Sequence, residues 1–333
     1  MSGPIDRRWL TLLTPSPPPH SRGTTDDVDN IAMPSHPPTV AIVRAPFVEN
    51  QRLLRDAAAL AIHSPAAPQR AIARDLFWTL APQTDDANVP TEGDLDSALD
   101  EAAALPASTT WGNLDSSIFF PVVDSPEEIA RLLLPGGMAG LPANSDEYVV
   151  FVPNAEIALV VPSEDESAIC RAAEMVEFFS NPTTQISLLP IVGANGRWQP
   201  YQPSPGHLAY DACNRLSVLD RAEVANSQGE MLLHVARPEL HVAPLLTMQV
   251  GGSLQTVCTW SAATEALLPQ ADIVGLTDHH GELLLLALWE AVERVAGHHL
   301  LATGHKPHRW QTIGFPNERE LDVLEMVRLR IHY

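Results

Sequence analysis

The sequence predicts an α+β fold: a largely antiparallel sheet with packed helices, preceded by a small helical region and a disordered N-terminal tail. Three observations carry this. Short apolar runs come in close pairs, 147–152 with 157–161, 245–250 with 254–260 and 271–277 with 282–288, each pair separated by turn-forming residues. Single stretches of helical period lie between the pairs instead of after every strand, which argues against the strand–helix–strand alternation of a parallel dinucleotide-binding sheet. A content of 45% hydrophobic residues over 333 positions is enough to bury a sizeable core in at least one domain.

Residues 1–38 are rich in Pro, Ser and Thr and carry an acidic patch at Asp26, Asp27 and Asp29, a composition that cannot bury enough surface to offset the entropy of ordering. They predict a disordered Pro-rich tail, within which Met33 is a second possible start. Residues 39–110 predict a helical region and an acidic linker. Thr39 to Val43 reads as a short strand, and two helices are expected at 48–62 and 69–80, the second from the spacing of Ile72, Leu76, Phe77 and Leu80. Residues 81–116 are acidic and loop-like around one short helix at 95–104.

The main α+β domain is expected over 117–333. Residues 117–123 predict a strand, and Ser125-Pro126-Glu127-Glu128 starts a helix that Pro135-Gly136-Gly137 ends. The runs 147–152 and 157–161 predict a hairpin, and Ser163 with Glu166 predicts the cap of a helix reaching Phe179, where Asn181-Pro182 stops it. A strand at 186–192, a helix at 207–224 and a strand at 231–235 follow. Gly251-Gly252 predicts a tight hairpin between 245–250 and 254–260, and Asp278-His279-His280-Gly281 a second one between 271–277 and 282–288. A helix then runs to Ala296 with Gly297 as its stop, and Asn317 with Glu320 opens the last helix, Leu321, Leu324 and Val327 facing inward.

Lys306 is the only lysine, and the formal net charge is −21 with a sequence pI near 4.8. Surfaces that track phosphates need clustered cations, so nucleic acid is excluded as the expected partner and a basic protein is favoured. The longest strongly apolar run, 283–289, is far too short to span a bilayer, so no membrane association is expected. Cys170, Cys213 and Cys258 are odd in number and widely spaced, which fits a reducing compartment and a cytoplasmic location.

Histidine is concentrated near the C-terminus, at His279, His280, His298, His299, His305 and His308. A zinc site needs three or four N, S or O ligands, and the set His280, His299, His305 and His308 is the candidate taken from this cluster. Against it stand the absence of an HExxH motif, Pro307 between His305 and His308, and the turn position of His279 and His280, where adjacent side chains diverge. Cys258 is the best thiol, but strand alternation places it with Leu254 and Trp260 on a buried side. The glycines at 136, 137 and 140 follow a helix and open none, so they end it and form no phosphate cradle. Arg197, Trp198 and Tyr201 form the candidate binding segment, since aromatic rings beside Arg and Pro are typical of recognition surfaces.

The sequence therefore predicts a non-catalytic binding, adaptor or regulatory protein without a cofactor, and as second reading a zinc-assisted hydrolase using the C-terminal histidines.

Overall fold

The computed structural model describes residues 40–44, 69–73, 76–80, 91–104, 109–122, 126–142, 145–154, 156–179, 185–237, 239–305 and 307–329. The tail 1–38 and the helix expected at 48–62 lie outside them. Every described residue belongs to one compact unit within 37–333.

The α+β class holds, with largely antiparallel pairing. Strands β1 (Val40–Arg44), β2 (Gln69–Ala73) and β3 (Leu76–Leu80) form a three-stranded sheet in the order β1-β3-β2. This corrects the helix expected over 69–80. Its apolar spacing fits a helix as well as a hairpin, and pairing of β3 with the distant β1 along its whole length decides for strand. Helix α1 (Glu92–Ala104) follows, turning Leu95, Ala98 and Leu99 inward.

The second sheet has six strands in the order β4-β5-β7-β6-β8-β9, namely β4 (Thr110–Asn113), β5 (Phe119–Val122), β6 (Tyr148–Asn154), β7 (Ile157–Pro162), β8 (Ile191–Ala194) and β9 (Arg197–Pro200). Both its faces are covered, which is why β6 and β7 read as near-continuous apolar runs. Val150, Val152, Ala158 and Val160 point to one side, with α1 and α2 (Pro126–Leu132). Val149, Phe151, Leu159 and Val161 point to the other, against α3 (Glu166–Phe179). Asn195 and Gly196 have φ of 51° and 76°, the left-handed pair a two-residue hairpin needs, and they join β8 to β9. The cap of α3 is Asp165, whose Oδ1 accepts the Ala168 N–H at 2.9 Å, in place of the expected Ser163.

Helix α4 (Tyr210–Val235) runs 26 residues, through the positions 231–235 expected as a strand. Asn226-Ser227-Gln228-Gly229 resembles a break, but those side chains serve neighbouring elements. Asn226 exchanges two 2.9 Å hydrogen bonds with the backbone of Leu245, and Gln228 donates to Pro307 O at 2.9 Å. The first half of α4 packs Cys213 and Leu216 beneath the six-stranded sheet, and the second packs Ala222 and Ala225 into the C-terminal core.

That core lies among two four-stranded sheets. One has the order β10-β13-β17-β16, from β10 (His241–Val242), β13 (Ala266–Pro269), β17 (Arg309–Thr312) and β16 (Leu300–Ala302). The other has the order β11-β12-β14-β15, from β11 (Leu246–Val250), β12 (Ser253–Ser261), β14 (Ile273–Thr277) and β15 (Leu283–Leu288). Both hairpins expected here are present. Only β10–β13 and β12–β14 pair in parallel among the described residues. Helices α5 (Trp289–Ala296) and α6 (Glu318–Met326) complete the unit, and α6 buries Leu324 while Val327, expected inside, is exposed.

At the centre sits Arg309, 1% exposed. Nε donates to Gln228 Oε1 at 2.7 Å, Nη1 to Ala243 O at 2.9 Å and Leu267 O at 3.1 Å, and Nη2 to Ala225 O at 2.6 Å. Burial pulls its pKa down to about 10, partly offset by Cys258, and still leaves the guanidinium charged at neutral pH. One side chain thus ties α4, β13 and the loop after β10 together.

Candidate functional site

The four histidines expected as ligands do not all converge. His280 lies exposed on the β14–β15 turn, where its backbone N–H donates to Asp278 Oδ1 at 2.8 Å. His305 and His308 lie on the segment between β16 and β17, and His305 is half-buried, its pKa lowered first by burial and then by the charge of Arg309. His299 alone belongs to a cluster, and its companions are His298 and Glu320.

The cluster is built by two chain reversals. Helix α5 does not stop at Gly297 in the left-handed conformation; Gly297 has φ −59°, and the chain tightens into a 3₁₀ turn over Gly297–His299 before entering β16. In that turn the rings of His298 and His299 lie with centroids 4.0 Å apart. The second reversal is the start of α6, capped reciprocally: Asn317 Oδ1 accepts the Glu320 N–H at 3.2 Å, and Glu320 Oε2 accepts the Asn317 N–H at 2.8 Å. Bending back to make that bond carries the Glu320 carboxylate to the histidines. His298 Nε2 lies 3.2 Å from Oε1 and His299 Nε2 3.2 Å from Oε2.

The surroundings hold this geometry. Trp260 meets His299 edge-on at 6.5 Å. A side chain on Gly314 would place its Cβ 2.7 Å from His299 Nδ1, so glycine there is what lets the ring sit where it does. Side-chain exposure is 62% for His298, 21% for His299 and 16% for Glu320, a half-sheltered cluster open on one side. Burial acts against the charge on Glu320, but the Asn317 N–H and the two histidines outweigh it and hold the carboxyl below its ordinary value.

The aromatic segment is placed differently. Trp198 lies on β9, is half-buried against the core on the α2 side, and donates Nε1–H to Leu133 O at 2.7 Å. Tyr201 packs into the core on the opposite side, its hydroxyl 3.1 Å from His207 Nε2, and burial pushes its pKa up to about 12. Arg197 is exposed. The two rings thus lie on opposite faces of the sheet and do not form one surface. Cys258 is buried, with its pKa pushed up to about 12 by burial against the opposing effect of Arg309, and burial likewise pushes Cys213 up to about 12. Neither provides a thiolate at neutral pH.

A surface feature escapes sequence reading altogether. Of the thirteen exposed large hydrophobic side chains among the described residues, eight fall between 283 and 327: Leu283, Leu284, Leu288, Leu301, Ile313, Val323, Met326 and Val327. Helix α6 packs on β15, and the chain leaving it runs along that strand, the Leu329 N–H donating to Leu286 O at 2.8 Å. The exposed leucines of β15 and Met326 at the end of α6, 78% exposed, thus lie on adjoining elements. The capping box and the histidines are each visible in the sequence, but nothing local says that α6 returns to the end of α5. Comparison with family models, with curated proteins and with solved structures finds no match for this chain.

Proposed function

We propose that this protein is a non-catalytic binding module of adaptor or regulatory type, and that its C-terminal face receives a basic, amphipathic segment of a partner protein. The apolar face formed by β15 and the end of α6 carries this reading, because exposed apolar side chains concentrated on adjoining elements mark interaction surfaces. The charge around it selects the occupant. Over 282–328 the described exposed residues include six carboxylates (Glu282, Glu290, Glu293, Glu318, Asp322, Glu325) against three arginines (Arg294, Arg319, Arg328). A second copy would bring another −21 to the same place, whereas a basic partner gains attraction and a faster encounter.

The test uses fluorescence anisotropy with a labelled Lys/Leu amphipathic peptide and its Glu/Leu counterpart. The expected result is binding of the basic peptide alone, weakened by salt and weakened at least about tenfold by Leu284→Ser with Met326→Ser in a protein of unchanged melting temperature. Equal binding by wild type and variant overturns the proposal, since attraction to the net charge alone would then explain it.

A further inference from the structure

We infer that His298, His299 and Glu320 form a binding site for a divalent transition-metal ion, with zinc the best chemical fit. The site is separate from the docking reading and stands or falls independently of it.

Three observations point to a metal. The donor set is two imidazoles and one carboxylate, the combination that suits zinc, with a fourth position left for water. The spacing fits as well. Ligand atoms each about 2.0–2.2 Å from a tetrahedral zinc lie about 3.3–3.6 Å from one another; His298 Nε2 lies 3.2 Å from Glu320 Oε1 and His299 Nε2 3.2 Å from Oε2, and one ligand atom from each of the three residues lies within 4.8 Å of the others.

The supporting shell is the third observation. Metal-binding carboxylates and imidazoles are usually fixed by outer partners. Here the Asn317 N–H holds Glu320 Oε2, and Trp260 and the bare backbone of Gly314 fix the His299 ring. The arrangement also concentrates acceptors. The two rings, with centroids 4.0 Å apart, place their Nε2 atoms each 3.2 Å from a different oxygen of one carboxylate, so a single cation between them is within reach of all three groups. An ion there would tie the α5–β16 turn to α6, which is the element leading to Met326 and Val327.

The experiment is titration of the tag-free protein with Co²⁺, read by visible absorption, and with Zn²⁺, read by calorimetry. The expected result is one equivalent bound, with the intense d–d bands of tetrahedral Co²⁺ displaced by Zn²⁺. Affinity should fall at least about tenfold in Glu320→Gln, whose amide oxygen keeps the acceptor for the Asn317 N–H, and about a hundredfold or more in the His298→Ala, His299→Ala double variant. His305→Asn with His308→Asn should leave both metals bound as in wild type. Absence of a stoichiometric site, binding unchanged by either triad variant, or binding lost on changing His305 and His308 would overturn the inference. Folding of each variant is checked by its metal-free melting temperature, so a lost signal is not confused with a lost fold.

Discussion

Gly229 and Arg309 are fitted to each other: a Cβ added to Gly229 would stand 3.1 Å from Arg309 Nη2 and 3.6 Å from Val242 Cγ1. A glycine inside a 26-residue helix normally costs about 0.5–1 kcal/mol relative to alanine. Here it makes room for a guanidinium that four hydrogen bonds keep from moving aside. Gly229→Ala is therefore expected to destabilise by about 1 kcal/mol in place of the usual gain, and to become stabilising in an Arg309→Met background. A double-mutant cycle on denaturant midpoints checks this, and equal effects in both backgrounds would contradict it.

Arg309→Met tests the buried charge itself. Replacing a buried ion pair by apolar groups can be neutral when both partners go, but the partners here are backbone carbonyls of Ala225, Ala243 and Leu267 that no substitution removes. The expected loss is at least about 3 kcal/mol, from several charge-assisted bonds of roughly 1.5–3 kcal/mol each. An unchanged midpoint in urea would show that the network contributes nothing net.

Asp165 links α3 to pH. Its carboxyl is held below the ordinary value first by the Ser117 hydroxyl and then by the Ala168 N–H, against the effect of burial. On acidification the unfolded chain therefore takes up its proton before the folded one, so this stabilisation is present above about pH 4 and is lost as pH falls through the lowered folded value. Asp165→Asn should keep part of the cap and flatten the acid limb of the stability profile. Asp165→Ala should cost about 1 kcal/mol at neutral pH and much less near pH 2. Parallel profiles for wild type and both variants would be the contrary result.

Cys258, with its thiol pushed to about 12 and wholly enclosed, should resist alkylation in the native protein and react at the rate of global unfolding. Cys258→Ser should destabilise by about 1–3 kcal/mol through a hydroxyl placed in an apolar site. Rapid native labelling at this position, mapped by mass spectrometry, would contradict the buried placement.

How far the sequence reaches depends on whether the deciding contact is local. The hairpins at Gly251-Gly252 and Asp278 to Gly281, the helix 166–179 and the Asn317–Glu320 cap are legible because turn, period and cap all act within a few residues. The strands at 69–80 are not, since the apolar spacing suits either conformation and the partner that fixes β3 as a strand, β1, is remote in the chain. The Asn195-Gly196 hairpin is not among the hairpins expected, and it sets Trp198 and Tyr201 on opposite faces. Met231 to Val235 reads as a strand because the polar residues before it resemble a stop, and only their distant partners, Leu245 and Arg309, show why the helix continues. The candidate site divides in the same way. His299 stands out as a potential ligand, but its pairing with His298 and Glu320 depends on a 3₁₀ turn and on where α6 returns.

Hydrogen–deuterium exchange with and without a saturating Lys/Leu amphipathic peptide tests the binding role most directly. A partner seated on the C-terminal face should protect amides over 283–288 and 318–329 and leave 197–201 around Trp198 unchanged. Protection confined to 197–201, or no protection anywhere when the peptide is bound, would contradict it.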